Sequence, residues 1–151
     1  FDPVMVATSG SILADRDTIA AFERLMALAT LTTPNVPELA ALGGPAAMAA
    51  RNIAYIAKGG DAEGPVVEDR LIRPGMDDLV WQADRIMTRN THGTGCTFAS
   101  AIATWLGHGL PLTEAIVRSR DFVREGLLRA PGFGKGHGPL GHQSLQSPQS
   151  R

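Results

Sequence analysis

The sequence holds a single cysteine, Cys96, so no internal disulfide can form and a thiol-keeping, cytoplasmic compartment is the predicted home. No apolar run approaches the roughly 20 residues that a membrane helix needs, and the start shows neither a basic region nor a cleavage-site pattern. Export and membrane insertion are therefore not expected. Charge of one sign is also missing: Lys and Arg are scattered and the formal net charge is -1, which leaves no basic field to hold a polyanion. Nucleic acid is excluded as an expected partner. The chain does not begin with methionine, and Phe1, Pro3, Val4, Met5 and Val6 form an apolar run at once. This start reads as the middle of a longer polypeptide, with a strand that needs neighbours to pair with.

What is present suits one folded domain: 151 residues, 44% hydrophobic and 19% charged, are enough to bury a real core. Residues 1–7 read as a short buried strand, followed by the turn cluster Thr8-Ser9-Gly10-Ser11. Asp15 or Asp17 can cap a helix whose Ile19, Phe22, Leu25, Met26 and Ala29 recur at helical spacing. A brief strand over 28–32 ends at Thr33-Pro34-Asn35, short helices follow over 38–42 and 45–52, and a strand over 53–57 delivers Lys58-Gly59-Gly60. Residues 66–72 have the mixed pattern of an edge strand, and 84–88 are a weaker candidate. A helix is predicted over 96–106, and another begins at Pro111, lined by Ile116, Val117, Phe122, Val123, Leu127 and Leu128, and ends at Pro131-Gly132. Residues 143–151 are polar and read as a frayed, flexible tail.

Strands alternating with helices predict an α/β layer structure with a mostly parallel sheet flanked by helices, and ligands of such sheets gather at the carboxyl ends of the strands. Polar motifs after Val6, Thr32 and Ala57 sit at such ends.

The most informative segment is Asn90-Thr91-His92-Gly93-Thr94-Gly95-Cys96-Thr97, a glycine-containing turn running into an apolar helix. N–H groups at a helix start point outward unpaired, and two glycines let an anion approach them closely. The same amides would stabilise charge on a transferring phosphoryl group. The helix dipole at Cys96 favours thiolate, which makes it a candidate general base; an inert packing cysteine is the other reading. The loop is neither a Walker A loop nor a dinucleotide fingerprint. For Asn35 and Glu38 the residues alone allow oxygen ligation of a hard cation or a helix cap. Lys58 can reach a phosphate as a point charge or stand exposed beside its turn. Asp2 precedes proline as turn formers do, and His92 can meet phosphate or brace the loop. His137 and His142 lack the companions of a zinc site.

Five segments in register carry a resemblance. Asp2-Pro3-Val4-Met5-Val6-Ala7-Thr8-Ser9-Gly10, Thr33-Pro34-Asn35-Val36-Pro37-Glu38, Lys58-Gly59-Gly60, the loop at 90–97 and Gly136-His137-Gly138-Pro139-Leu140 resemble the hydroxymethylpyrimidine and phosphomethylpyrimidine kinases of thiamin biosynthesis. The resemblance reaches to residue 142 and corresponds to the C-terminal portion of a family member. It implies a three-layer ribokinase-like fold lacking its N-terminal half, with residues 1–142 as the ATP-binding and catalytic part. It implies that Cys96 is the catalytic base, at a position that is aspartate in typical ribokinases, and that Gly93, Thr94, Gly95 and Cys96 form the anion hole. It implies that Lys58, Asn35, Asp2, Thr94 and Gly95 contact ATP and that Glu38, Asn35 and Asp2 organise Mg2+. His92 belongs to the signature without serving as a base, and the segment at 136–139 is structural.

The implied reaction is ATP-dependent phosphorylation of 4-amino-5-hydroxymethyl-2-methylpyrimidine and its monophosphate. A cysteine-type pyridoxine or pyridoxal kinase and a non-catalytic nucleotide-binding fragment are the alternatives. The family's N-terminal half, which supplies most of the pyrimidine pocket, is not represented, the connection from Glu38 to Lys58 is short, and Asp61 stands where histidine is frequent. The isolated chain is therefore expected to be weakly active or inactive without a complementing N-terminal fragment or a dimer mate; the full-length family is expected to be homodimeric.

Overall fold

A computed structural model describes residues 1–7, 10–60 and 62–144; the turn residues Thr8 and Ser9, Asp61 and residues 145–151 of the expected tail lie outside the described residues. The chain forms two compact units, Phe1–Arg85 and Ile86–Arg151.

The first unit begins with backbone that is extended only in part. Phe1 N donates to Leu31 O at 2.7 Å and Phe1 O accepts from Thr33 N at 3.0 Å. The chain then turns, with Val4 N donating to Asp2 O, because Pro3 has no N–H to extend a ladder. The strand expected over 1–7 is thus reduced to these contacts and one antiparallel bridge, Val6 with Ile12.

Helix α1 (Arg16–Leu28) starts where Asp15 accepts from Thr18 N at 2.8 Å, as the sequence predicted. Its Met26 is buried with Met5, Ala14, Leu42, Met48, Ile53 and Tyr55, and Ile19, Phe22 and Phe1 pack against that core; the Phe1 and Phe22 rings meet edge to face at 5.1 Å. Leu25 departs from the expected apolar face and is 48% exposed, because one residue before Met26 is about 100° around the helix. Helices α2 (Val36–Ala41) and α3 (Gly44–Ala50) follow, each with proline in its first turn.

Strand β1 (Tyr55–Ala57) is shorter than expected. Parallel pairing is present on its first side: Thr32 N donates to Ala54 O, Ile56 N to Thr32 O and Lys58 N to Pro34 O. These are the slanted bonds of a parallel ladder, with bridges Thr32 to Tyr55 and Asn35 to Lys58. On the other side the pairing is antiparallel, in the order β1-β2-β3, with β2 (Val66–Ile72) and β3 (Leu79–Asp84). Strand β2 is therefore the centre of this three-stranded sheet and not an edge. The strand expected over 84–88 lies earlier, at β3, whose Leu79, Trp81 and Ala83 alternate with the more exposed Val80, Gln82 and Asp84. Between them, Met76 N donates to Arg73 O across Pro74 and Gly75, and Gly75 at φ 73° supplies the third position of a tight turn.

The second unit is built on two packed helices, α4 (Thr94–Gly107) and α5 (Leu112–Leu128). Phe98 and Ile102 of α4 and Ala115, Ile116, Ser119 and Gly126 of α5 are buried. Ser119 satisfies its hydroxyl on Ala115 O at 2.7 Å. Arg118 lies over the Trp105 ring at 5.2 Å. Val117, Phe122 and Leu128, expected to line α5, are 40%, 36% and 64% exposed. The chain after α5 returns past α4 and ends, among the described residues, in a 3-10 turn at His142–Ser144. No described helix is long and apolar enough to cross a membrane.

Candidate active site

In the first unit, the parallel ladder sets Asn35 beside Lys58 and Thr33 beside Phe1, so three segments distant in sequence present their polar ends together. Asp2 Oδ1 accepts from Thr33 Oγ1 at 2.7 Å and from Lys58 Nζ at 3.0 Å, and Lys58 Nζ stands 3.8 Å from Glu38 Oε2. All three charged side chains are largely buried, at 15% exposed for Asp2, 13% for Lys58 and 8% for Glu38.

Asn35 and Glu38 form a complete capping box at the start of α2. Asn35 Oδ1 accepts from Glu38 N at 2.8 Å, and Glu38 Oε2 accepts from Asn35 N at 2.8 Å. The capping reading of this motif is thus realised, and it fixes the Glu38 carboxylate against Lys58. Gly59 N donates to Asp69 Oδ1 at 3.1 Å, and a Cβ on Gly59 would lie 2.0 Å from Glu68 O, so the turn after Lys58 requires glycine to seat on β2. Arg85 adds hydrogen bonds to the carbonyls of Gly60, Ala62 and Gly64 and so ties down the rest of that loop.

The cluster fits a hard divalent cation. Two carboxylates face one ammonium, an excess of negative charge, and Asp2 Oδ2 is buried without a hydrogen-bond partner. No group of three His, Cys, Asp or Glu side chains is assembled for a metal among the described residues. Magnesium is commonly held by one or two carboxylates together with substrate phosphates and water, and Asp2 and Glu38 are the carboxylates available here.

In the second unit, the loop before α4 is shaped by Gly93. Thr94 N donates to Thr91 O at 3.3 Å across a four-residue turn whose third residue, Gly93, has φ 83° and ψ 9°, the left-handed geometry of a type II turn. The first α-helical bond then runs from Thr97 N to Gly93 O at 2.9 Å. The amides of Gly95 and Cys96 fall between these two and take no partner among the described residues, as first-turn N–H groups do. The Thr94 amide, expected in the same anion hole, is already engaged in the turn. Cys96 is exposed in this first turn.

His92 braces the loop through its backbone: its N–H donates to Gly138 O at 3.1 Å and it bridges Pro139 in parallel. Thr91 Oγ1 lies 3.2 Å from His137 Nδ1 and Thr97 Oγ1 lies 3.0 Å from His142 Nε2. The segment at 136–139, read from sequence as structural, thus flanks the loop and contacts it through His137, Gly138 and Pro139. An open cavity of about 450 Å³ adjoins the loop, lined by Met87, Thr88, Arg89, Asn90 and three glycines of the 132–136 segment.

The family model for phosphomethylpyrimidine kinase matches residues 1–141. The chain belongs to this family. Among its relatives, the thiamine biosynthesis bifunctional protein ThiED of Geobacter sulfurreducens is 42% identical over 93% of the chain, and the hydroxymethylpyrimidine/phosphomethylpyrimidine kinase of Rhizobium meliloti is 39% identical over 93%. The chain spans 31% of the first relative and 59% of the second. In structure, this phosphomethylpyrimidine kinase family chain resembles the Staphylococcus aureus pyridoxal kinase solved with AMP-PCP, with TM-score 0.78 and 26% identity over 93% of the chain and 56% of that structure. The Bacillus subtilis pyridoxal kinase solved with ADP gives the same TM-score and identity over 94% and 59%. The fold is that of the ribokinase-like kinases.

Of the predicted residues, Asp2, Asn35, Glu38 and Lys58 are brought together in the first unit, and Gly93, Thr94, Gly95 and Cys96 in the second. Thr33, Asp69 and Arg85 escaped the sequence reading. Thr33 carried a signal as a hydroxyl directly before the proline of the Thr-Pro-Asn turn; Asp69 and Arg85 act across strand pairing that the sequence does not display.

Proposed function

We propose that the chain carries the phosphate-handling part of an ATP- and Mg2+-dependent kinase that phosphorylates 4-amino-5-hydroxymethyl-2-methylpyrimidine and then its monophosphate. The observation that carries this reading is the exposed Cys96 thiol in the first turn of α4 beside partnerless Gly95 and Cys96 amides, in a chain whose residues 1–141 match the family. Cys96, acting as the thiolate, takes the proton of the substrate hydroxyl on Sγ as the hydroxyl oxygen bonds to the γ-phosphorus, and the bond to the leaving ADP oxygen breaks in line. The Gly95 and Cys96 amides hold charge on the equatorial oxygens. Gly93 acts through its turn and Thr94 by starting the helix.

Lys58 offers its ammonium to nucleotide phosphate. Asp2 and Glu38 would hold magnesium together with Asn35, which keeps Glu38 in place through the capping box. Magnesium bound there would neutralise triphosphate charge. Pyrimidine recognition belongs to parts of the relatives that this chain does not span, and the assembled enzyme is read as a homodimer.

The test is transfer from Mg-ATP to hydroxymethylpyrimidine by the chain alone and mixed with the part of the Rhizobium meliloti kinase that it does not cover. Little turnover alone and clear turnover in the mixture are expected; equal absence in both, with the mixture folded, would remove the reading. The likeness to two nucleotide-bound pyridoxal kinases favours one second reading, pyridoxal phosphorylation. A higher kcat/KM for pyridoxal than for hydroxymethylpyrimidine in the same mixture would select it. Nucleotide binding without transfer to either substrate would leave a non-catalytic binding fragment.

A further inference from the structure

The loop that opens α4 is held at two points by chain that comes after α5. Asn90, just before the loop, is folded onto its own backbone: its N–H and its Nδ2 both donate to Thr88 Oγ1, at 3.1 and 3.3 Å. Its Oδ1 points the other way, against Gly138. A Cβ built on Gly138 would lie 2.1 Å from Asn90 Oδ1 and 3.3 Å from Phe133 O, so no side chain fits at position 138 while Asn90 keeps its place. Two residues later the same pair of segments is stitched by His92 N donating to Gly138 O, with the Thr91 and His137 side chains in contact beside it. Gly93 follows immediately.

The other end of the strap is anchored on α5. Gly141 N donates to Gly126 O at 2.8 Å, and a Cβ on Gly141 would meet Arg129 O at 2.1 Å. Leu140, 2% exposed, seats on Gly126 of α5, where a Cβ would come within 3.0 Å of its Cδ2. His142 Nε2 then returns to Thr97 Oγ1 in α4. The start of α4 is thus referenced to α5 through residues 137–142, with close approaches at both ends: Gly141 against the Arg129 backbone and Gly138 against the Asn90 side chain.

We infer that Asn90 and Gly138 are positioning residues, a peg and a socket that set where the Gly95 and Cys96 amides and the Cys96 thiol point. This rests on the proposed kinase reading, because it assigns the pair a role in transfer and not in substrate contact. An added methyl at 138 displaces the Asn90 amide, which is tied to Thr88 Oγ1 through both its Nδ2 and its backbone N–H, and the inference is that this displacement reaches the turn at Gly93 through Thr91 and His92. Misplacement of about 1 Å at a reacting centre is enough to cost on the order of 100-fold in rate.

The experiment compares Gly138→Ala, Asn90→Ala and the double variant in the complemented protein. Gly138→Ala is expected to lower kcat by about 100-fold while KM for ATP moves less than about threefold, and adding Asn90→Ala is expected to recover at least about tenfold of the loss, since removing the peg empties the socket. A wild-type kcat in Gly138→Ala, or a double variant no faster than Gly138→Ala, overturns the inference.

Amide exchange at His92 and Thr97, whose N–H groups bond Gly138 O and Gly93 O, separates this from failure of the kinase reading. Even if no transfer occurs in any protein, protection at both sites should fall about tenfold in Gly138→Ala and return in the double variant. Unchanged protection overturns the strap. Should Gly138→Ala fail to fold, His137→Ala removes only an exposed contact to Thr91 and should reduce His92 protection about threefold; no change there also overturns it.

Discussion

At Gly93 a single backbone angle decides whether the loop can exist. Its φ of 83° lies in the left-handed region, while the space around it is open, so the demand is conformational and not steric. Gly93→Ala should therefore destabilise the second unit by about 1–2 kcal/mol, measured as a lowered denaturant midpoint, and weaken ADP binding in calorimetry. Unchanged binding would show that the turn does not hold the phosphate. The glycine pair at this site drew attention in the sequence only together with the four other segments in register, because a Gly-x-Gly turn alone is common. Its division of labour was not legible: the sequence cannot show that Thr94 spends its amide on Thr91 O while Gly95 and Cys96 keep theirs. Lys58 was likewise found as a strand-end lysine, but its ion pair with Asp2 joins residues 56 apart in sequence, and only the parallel ladder brings them together.

At the scale of elements, capping and turn chemistry decide where the chain changes direction. Helix α2 has only six residues, too short to persist without its cap, and both arms of its box are made by Asn35 and Glu38. Asn35→Ala should cost about 1 kcal/mol of stability in the first unit, and Asn35→Ser should restore most of it, read from urea unfolding. If Ala and Ser behave alike, the box does not stabilise the helix. The helices were the most legible elements, since Asp15, Pro37, Pro45 and Pro111 mark their starts by chemistry that acts within a few residues. The strands were read less well. Residues 1–7 have a strand's composition, yet Pro3 turns the chain after two residues. Strand β3 alternates over only six residues, and the Pro74-Gly75 turn that precedes it was the cue that fixes the hairpin.

At the scale of the molecule, the fold assignment rests on order as much as on any motif. A parallel ladder, an antiparallel hairpin, and a glycine turn into a packed helix pair follow one another in a chain that superposes on the Staphylococcus aureus pyridoxal kinase with a TM-score of 0.78. The proposed chemistry is distributed along that order: the acid and lysine cluster belongs to the first unit and the glycine loop before α4 to the second. An enzyme of this design is expected to lose transfer when a reacting group is removed from either unit, without losing its fold. The most direct measurement is transfer of labelled phosphate from Mg-ATP to hydroxymethylpyrimidine by the complemented protein, wild type against Cys96→Ala. The account predicts that transfer falls by at least about 1,000-fold in Cys96→Ala while nucleotide still binds; transfer at the wild-type rate would contradict it.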